Sequence, residues 1–125
     1  DIGDSAITET AGLGGFAMAA SPAIVQFVGG SPADALSQSL AMNHITIGAN
    51  SQFTLPSLDF APSAAGIDVR KVVDTGILPT VNTGIAHKEA GVGQIGAGIT
   101  SAPLDCFLQA IKPLHESVSQ GFKDP

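Results

Sequence analysis

Glycine and proline punctuation sets a ceiling on how regular this chain can be. Fifteen glycines and eight prolines are spread through 125 residues. Each glycine inside a helix costs about 1 kcal/mol, and proline breaks the hydrogen-bond ladder outright. Ser31 followed by Pro32 reads as an N-cap with proline in the first turn, opening a helix over 32–43 with Ala33, Leu36 and Leu40 on one face. Val69, Val72 and Val73 predict a short helix over 67–75, ended by Gly76. Residues 77–86 are the best strand, entered through Pro79, with a second strand within 92–96. Residues 4–20 carry a helical pattern from Asp4 or Ser5, weakened by Gly12, Gly14 and Gly15. Residues 22–28 form a short apolar run, helix or strand. The segment 48–66 holds two glycines and two prolines and reads as loop, with a short strand near 52–55. The last helix starts near Ser101 and carries the stripe Leu104, Phe107, Leu108 and Ile111, expected to face the core with Cys106 beside it. Pro113 should kink or end it. The fold class that follows is α+β, with irregular helices and a few short strands, as one domain over 1–125.

Charge content narrows the function classes. Only 13% of residues are charged, about half the usual share. A surface this poor in charge is expected to be buried against something else: the rest of a longer chain, or other subunits of an oligomer. The start inside a dense polar motif supports the same expectation, that this is the C-terminal part of a larger protein. The net charge of −6 argues against a nucleic-acid partner, which needs a basic face. No apolar run reaches about 18 residues, so no membrane-spanning helix is expected. A single cysteine excludes an internal disulfide and fits a reducing cytoplasm.

The densest chemistry lies in residues 82–99. His87, Lys88 and Glu89 stand directly before Gly91, Gly93, Gly96 and Gly98, with Asn82 upstream and Gln94 between the glycines. A glycine-rich loop lets a ligand approach the main chain closely. Successive free N–H groups there cradle a small anion, and a following helix N-terminus would add to the effect. The competing reading is a tight turn that uses glycine for packing alone. His87 is placed to act as a base or as a donor to a developing oxyanion. Lys88 can meet phosphate or carboxylate as a point charge. Glu89 can orient either one, and the Gln94 amide can reach a ligand.

Other candidates are dispersed. Asp4 and Glu9 lie five apart among Ser5, Thr8 and Thr10, a set able to bind a metal or orient a substrate amine, although capping alone explains Asp4 and Ser5. Arg70 either clamps a substrate carboxylate or pairs with Asp68. His44 and His115 are assigned no site. No zinc-ligand spacing, P-loop or dinucleotide fingerprint is present, so the sequence names no cofactor and no metal site.

Four strings occur in order: Gly3 to Thr10, Gly66 to Val73, Asn82 to Gly91 and Gly93 to Gly98. Together they resemble the C-terminal part of a bacterial family, long of unknown function, that includes the large subunit of oxamate carbamoyltransferase. The resemblance covers nearly the whole chain. It implies a fragment of a protein of several hundred residues, working in an assembly with other subunits. It also implies transfer of a carbamoyl group between oxamate and phosphate, in the breakdown of purine-derived nitrogen compounds. Against this stand two other readings, a non-catalytic scaffold that docks subunits and a module that binds a small anion without turnover.

Overall fold

The computed structural model describes residues 5–121, apart from Pro22, Ile24, Val25, Phe27 and Val28. The fold is α+β. Its fully described helices are α1 (Ser5–Thr8), α2 (Pro32–Met42), α3 (Val69–Thr75) and α4 (Leu104–Gly121). Its strands are β1 (Thr46–Leu55), β2 (Ala61–Ile67), β3 (Val81–Ala86) and β4 (Gln94–Thr100). They form two separate antiparallel hairpins, β1 with β2 and β3 with β4. The expected apolar run at 22–28 falls largely outside the described residues.

The N-terminal segment is not one helix. A single α-turn gives way to 3₁₀ turns at Glu9–Ala11, Gly14–Phe16 and Met18–Ala20. The break comes at Gly12, which stands at φ 110°, a left-handed conformation that a continuing helix excludes. The glycines serve close approach instead. A Cβ on Gly12 would lie 2.3 Å from Ser63 Oγ, and one on Gly15 would lie 2.0 Å from the Thr80 carbonyl oxygen. This segment therefore lies with its backbone against both hairpins.

Helix α2 begins as the Ser-Pro pair predicts. The Asp34 amide donates to Ser31 Oγ at 3.2 Å, and the Ser31 amide donates to the Asp34 carboxylate at 2.8 Å. The Ser31 hydrogen bonds hold the Asp34 carboxyl below its ordinary value. The buried face, however, is Ala35, Ser39 and Met42, whereas Leu40 is 48% exposed. The expected Ala33, Leu36, Leu40 face is rotated away from the core. The small side chains win the contact because the 3₁₀ segment lies so near: the Ala19 amide donates to Ser39 Oγ at 2.8 Å.

The stretch 48–66 is mostly a hairpin and not a loop, and the strand expected near 52–55 is the end of β1. Pro62 is accommodated because β2 is an edge strand, and it sits at a register shift between Asn50 and Thr54. The turn closes through Asp59 and Phe60, both left-handed at φ 58°. The Asn50 side chain donates to the Ala11 carbonyl at 2.7 Å and accepts from the Gln52 amide at 3.0 Å, tying the irregular part of β1 to the N-terminal segment. β3 starts at Val81 and not at Ile77, while Ile77 and Leu78 pack partly buried on the core beside Pro79. That core consists of Phe16, Met42, Ile45, Ala64 and Val72, with Phe107 also against it.

Helix α3 is framed by Asp68 as N-cap and by Gly76, left-handed at φ 71°, as C-cap. The Asp68 side chain is 6% exposed and takes a forked contact from Arg70, Nε at 3.0 Å and Nη2 at 2.8 Å, as well as the Arg70 amide at 3.0 Å. The guanidinium hydrogen bond holds the Asp68 carboxyl below its ordinary value, against the opposing effect of burial. A carboxyl depressed in the folded state adds stability that is present above its unfolded pKa and is lost as pH falls through the folded one. Asp68→Ala should therefore cost about 1–2 kcal/mol in a denaturant titration at neutral pH. That cost should shrink as the pH is taken below about 3.9; a pH-independent difference would mean that the cap acts without its charge.

Helix α4 corrects two expectations and narrows a third. Pro113 does not end it, since it runs on to Gly121. Its stripe is not buried, since Leu104 is 38% and Leu108 is 41% exposed, and only Phe107 reaches the core. Cys106 is exposed and is not a core residue. The physical reason is shared: α4 packs chiefly on α3, which is only seven residues long, so most of the apolar face has nothing to lie on within the described residues.

Candidate functional site

The predicted loop Gly91–Gly98 divides in two. Residues 87–93 form a turn, and Gln94–Thr100 is strand β4, paired with β3 from Val81↔Thr100 to Ala86↔Gln94. No helix follows the turn directly, because α4 begins only at Leu104. The alternation of Ile95, Ala97 and Ile99 explains why a strand forms here. Gly96 and Gly98 are then cross-strand partners of Ile85 and Thr83. A Cβ on Gly96 would meet Ile85 Cδ1 at 3.4 Å, an ordinary van der Waals contact, so the strand would accept a side chain there.

The turn itself keeps Gly91 at φ 86° and Gly93 at φ 88°. It closes through the His87 amide, which donates to the Gly93 carbonyl at 2.9 Å. Lys88 and Glu89 are exposed at its tip, and His87 is half-buried at its base. The Glu89 amide donates to His87 Nδ1 at 3.0 Å. An accepting Nδ1 carries no proton, so the neutral ring bears its hydrogen on Nε2 and offers a donor there. Gln94 folds back along its own strand: its Nε2 donates to the Gly96 carbonyl at 2.9 Å, and its amide lies over Gly84.

Glu9 and Asn82 are brought together, 73 residues apart in sequence. The Glu9 carboxylate is buried and accepts from the Asn82 amide at 3.0 and 3.2 Å and from the Gly15 amide at 2.9 Å. It clamps the first residues of β3 to the 3₁₀ segment. Gly14 has no side chain because the carboxylate occupies that space, with Glu9 Oε1 2.2 Å from where a Cβ would be. Glu9→Ala would leave two N–H groups without this acceptor, at a cost of about 2–5 kcal/mol. A chemical-denaturation midpoint within error of the parent would show that water replaces the clamp. The polar pattern of residues 4–10 had suggested a ligand; nothing in the sequence linked Glu9 to a strand start so far downstream. Asp4 lies outside the described residues.

Arg70 is placed elsewhere, at the rim of a groove of about 510 Å³ between the start of α3, the ends of β1 and β2, and the second half of α4. Its Nε and Nη2 are committed to Asp68. Among the described residues, no three of His, Cys, Asp and Glu group closely enough to hold a metal ion. No described helix is long and apolar enough to cross a membrane.

With this geometry in place, known proteins give the wider frame. No family model matches the chain. It is 54% identical over 122 residues, 97% of its length, to the oxamate carbamoyltransferase subunit AllG of Escherichia coli. It is 56% identical over 111 residues, 89% of its length, to the uncharacterized protein YahG of the same organism. A crystal structure of a conserved protein of unknown function from Enterococcus faecalis superposes with a TM-score of 0.82 at 57% identity over 93% of the chain. The resemblance carried by the four strings is thus matched along nearly the whole sequence. The chain spans 29% and 24% of the two curated relatives and 28% of the solved one.

Proposed function

We propose that this chain is part of a carbamoyltransferase-type enzyme subunit of the oxamate and carbamoyl phosphate class, acting in purine-catabolite nitrogen metabolism in the cytoplasm. The observation that carries the reading is the 54% identity to the oxamate carbamoyltransferase subunit along 97% of the chain. The turn 87–93 is where a small anionic substrate binds. Its carboxylate or phosphate meets Lys88 and the backbone at Gly91 and Gly93. In the reaction, the amide nitrogen of oxamate attacks the carbamoyl carbon, phosphate leaves, and the nitrogen gives up a proton. With hydrogen on Nε2, His87 suits the role of donor to the carbonyl oxygen better than that of proton acceptor. The base is then supplied from outside these residues. The rest of a longer chain and other subunits complete the site, in an oligomer.

A second reading, a docking domain without chemistry, draws on the exposed Ile85, Val92 and Ile95 around the same turn. The separating experiment is carbamoyl transfer by a chain of the relatives' length with its partner subunits, supplied with carbamoyl phosphate and oxamate. Formation of oxalurate and phosphate is expected. No turnover, together with no heat of phosphate or oxamate binding in calorimetry, would leave the docking reading.

A further inference from the structure

We infer that the groove under helix α4 is the seat of an apolar segment from the remainder of a family-length chain. Its walls are aliphatic: Ile47, Ile67, Val69, Ile111, Leu114 and Val118. Ile47 is 70% exposed, Leu114 40% and Val118 53%. The polar rim offers little to a charged ligand. Asp68 and Arg70 neutralise one another through two hydrogen bonds, and only His115 stands beside them. A site built for a small polar molecule would present unsatisfied donors or acceptors converging on it. Here the remaining drive is removal of aliphatic surface from water.

Helix α4 gives the face its length. Leu104, Phe107, Ile111, Leu114 and Val118 repeat at alternating spacings of three and four, which puts them on one side of the helix. Phe107 spends that face on the core, whereas the two turns beyond Pro113 carry Leu114 and Val118 past it. The length of the relatives indicates what covers them. The solved relative superposes on these residues with only 28% of its own chain, and AllG with 29%. About seven-tenths of such a chain is available to lie against this face. The inference rests on the family-length part of the functional reading and not on its chemistry.

The test uses a chain of the relatives' length carrying these residues, with Cys106→Ser as background. A single cysteine is placed in the groove by Val118→Cys, or on the opposite side of the helix by Gln120→Cys. Labelling by a small maleimide is followed by peptide mass spectrometry. The groove cysteine should label at least 100-fold more slowly than the outer one, unchanged on tenfold dilution. Equal rates would overturn the inference. Protection that disappears on dilution would assign the face to a second copy of the chain. Protection lost on extensive dialysis and restored by the small-molecule filtrate would assign it to a diffusible aliphatic ligand. Protection in a protein that transfers no carbamoyl group would sink the enzymatic reading and leave this one standing.

Discussion

Gly15→Val should leave a chain with no cooperative thermal transition. A Cβ at this position would stand 2.0 Å from the Thr80 carbonyl oxygen, 2.5 Å from its carbon and 3.1 Å from the Val81 nitrogen. All three are backbone atoms, so no rotamer change relieves the overlap. Neither side can retreat. The Gly15 amide and the Asn82 amide are both held by the Glu9 carboxylate, and Phe16, next along, is fully buried in the core. Overpacking a yielding core costs about 1–3 kcal/mol; an unyielding backbone contact exceeds that. Even Gly15→Ala should lower the melting midpoint by at least about 10 °C. Gly48→Ala is the control, since a Cβ there meets nothing nearer than the Ala65 oxygen at 3.9 Å. A Gly15→Ala melt that overlays the Gly48→Ala melt would mean that the N-terminal segment is not held against β3 as described.

The same contact shows why parts of the fold were legible in the sequence and parts were not. Local chemistry was readable. Ser31 with Pro32, Asp68 beside Arg70, and Gly76 each act within a turn of their own position, and the two helices that they frame fall where their spacing placed them. Hairpin β3–β4 was partly readable, because apolar alternation survives its glycines. What failed depended on distant partners. Gly12, Gly14 and Gly15 look like helix breakers in sequence, and only Ser63, Glu9 and Thr80 show that they permit contact. Of the hairpin β1–β2 only the end of β1, near 52–55, was legible; β2 is Ala, Ser and Gly with a proline, residues that signal loop until an edge pairing accommodates them. The α4 stripe had the right period, but periodicity states that a face is to be covered and not by which part of a protein. At the candidate site, His87, Lys88 and Glu89 share one turn through adjacency in sequence. The expected glycine loop extended too far, since Gly96 and Gly98 already belong to β4.

His87→Ala, in a chain of the relatives' length with its partner subunits, should lower the rate of carbamoyl transfer by about 10²–10³, the usual loss when one donor to a developing oxyanion is removed. Its melt should hardly move. The ring is half-buried and its one described hydrogen bond is to Glu89, a neighbour in the same exposed turn. The turn is closed instead by the His87 backbone amide on the Gly93 carbonyl, which alanine keeps. His87→Gln separates a donor from a base, because a glutamine amide can donate to an oxygen but cannot take up a proton at neutral pH. If Nε2–H is what matters, His87→Gln should recover a measurable part of the alanine loss. Full loss in His87→Gln would make His87 a proton acceptor and contradict the tautomer assigned from the Glu89 contact. Near-native turnover in both variants would take His87 out of the chemistry and return the turn to the docking reading.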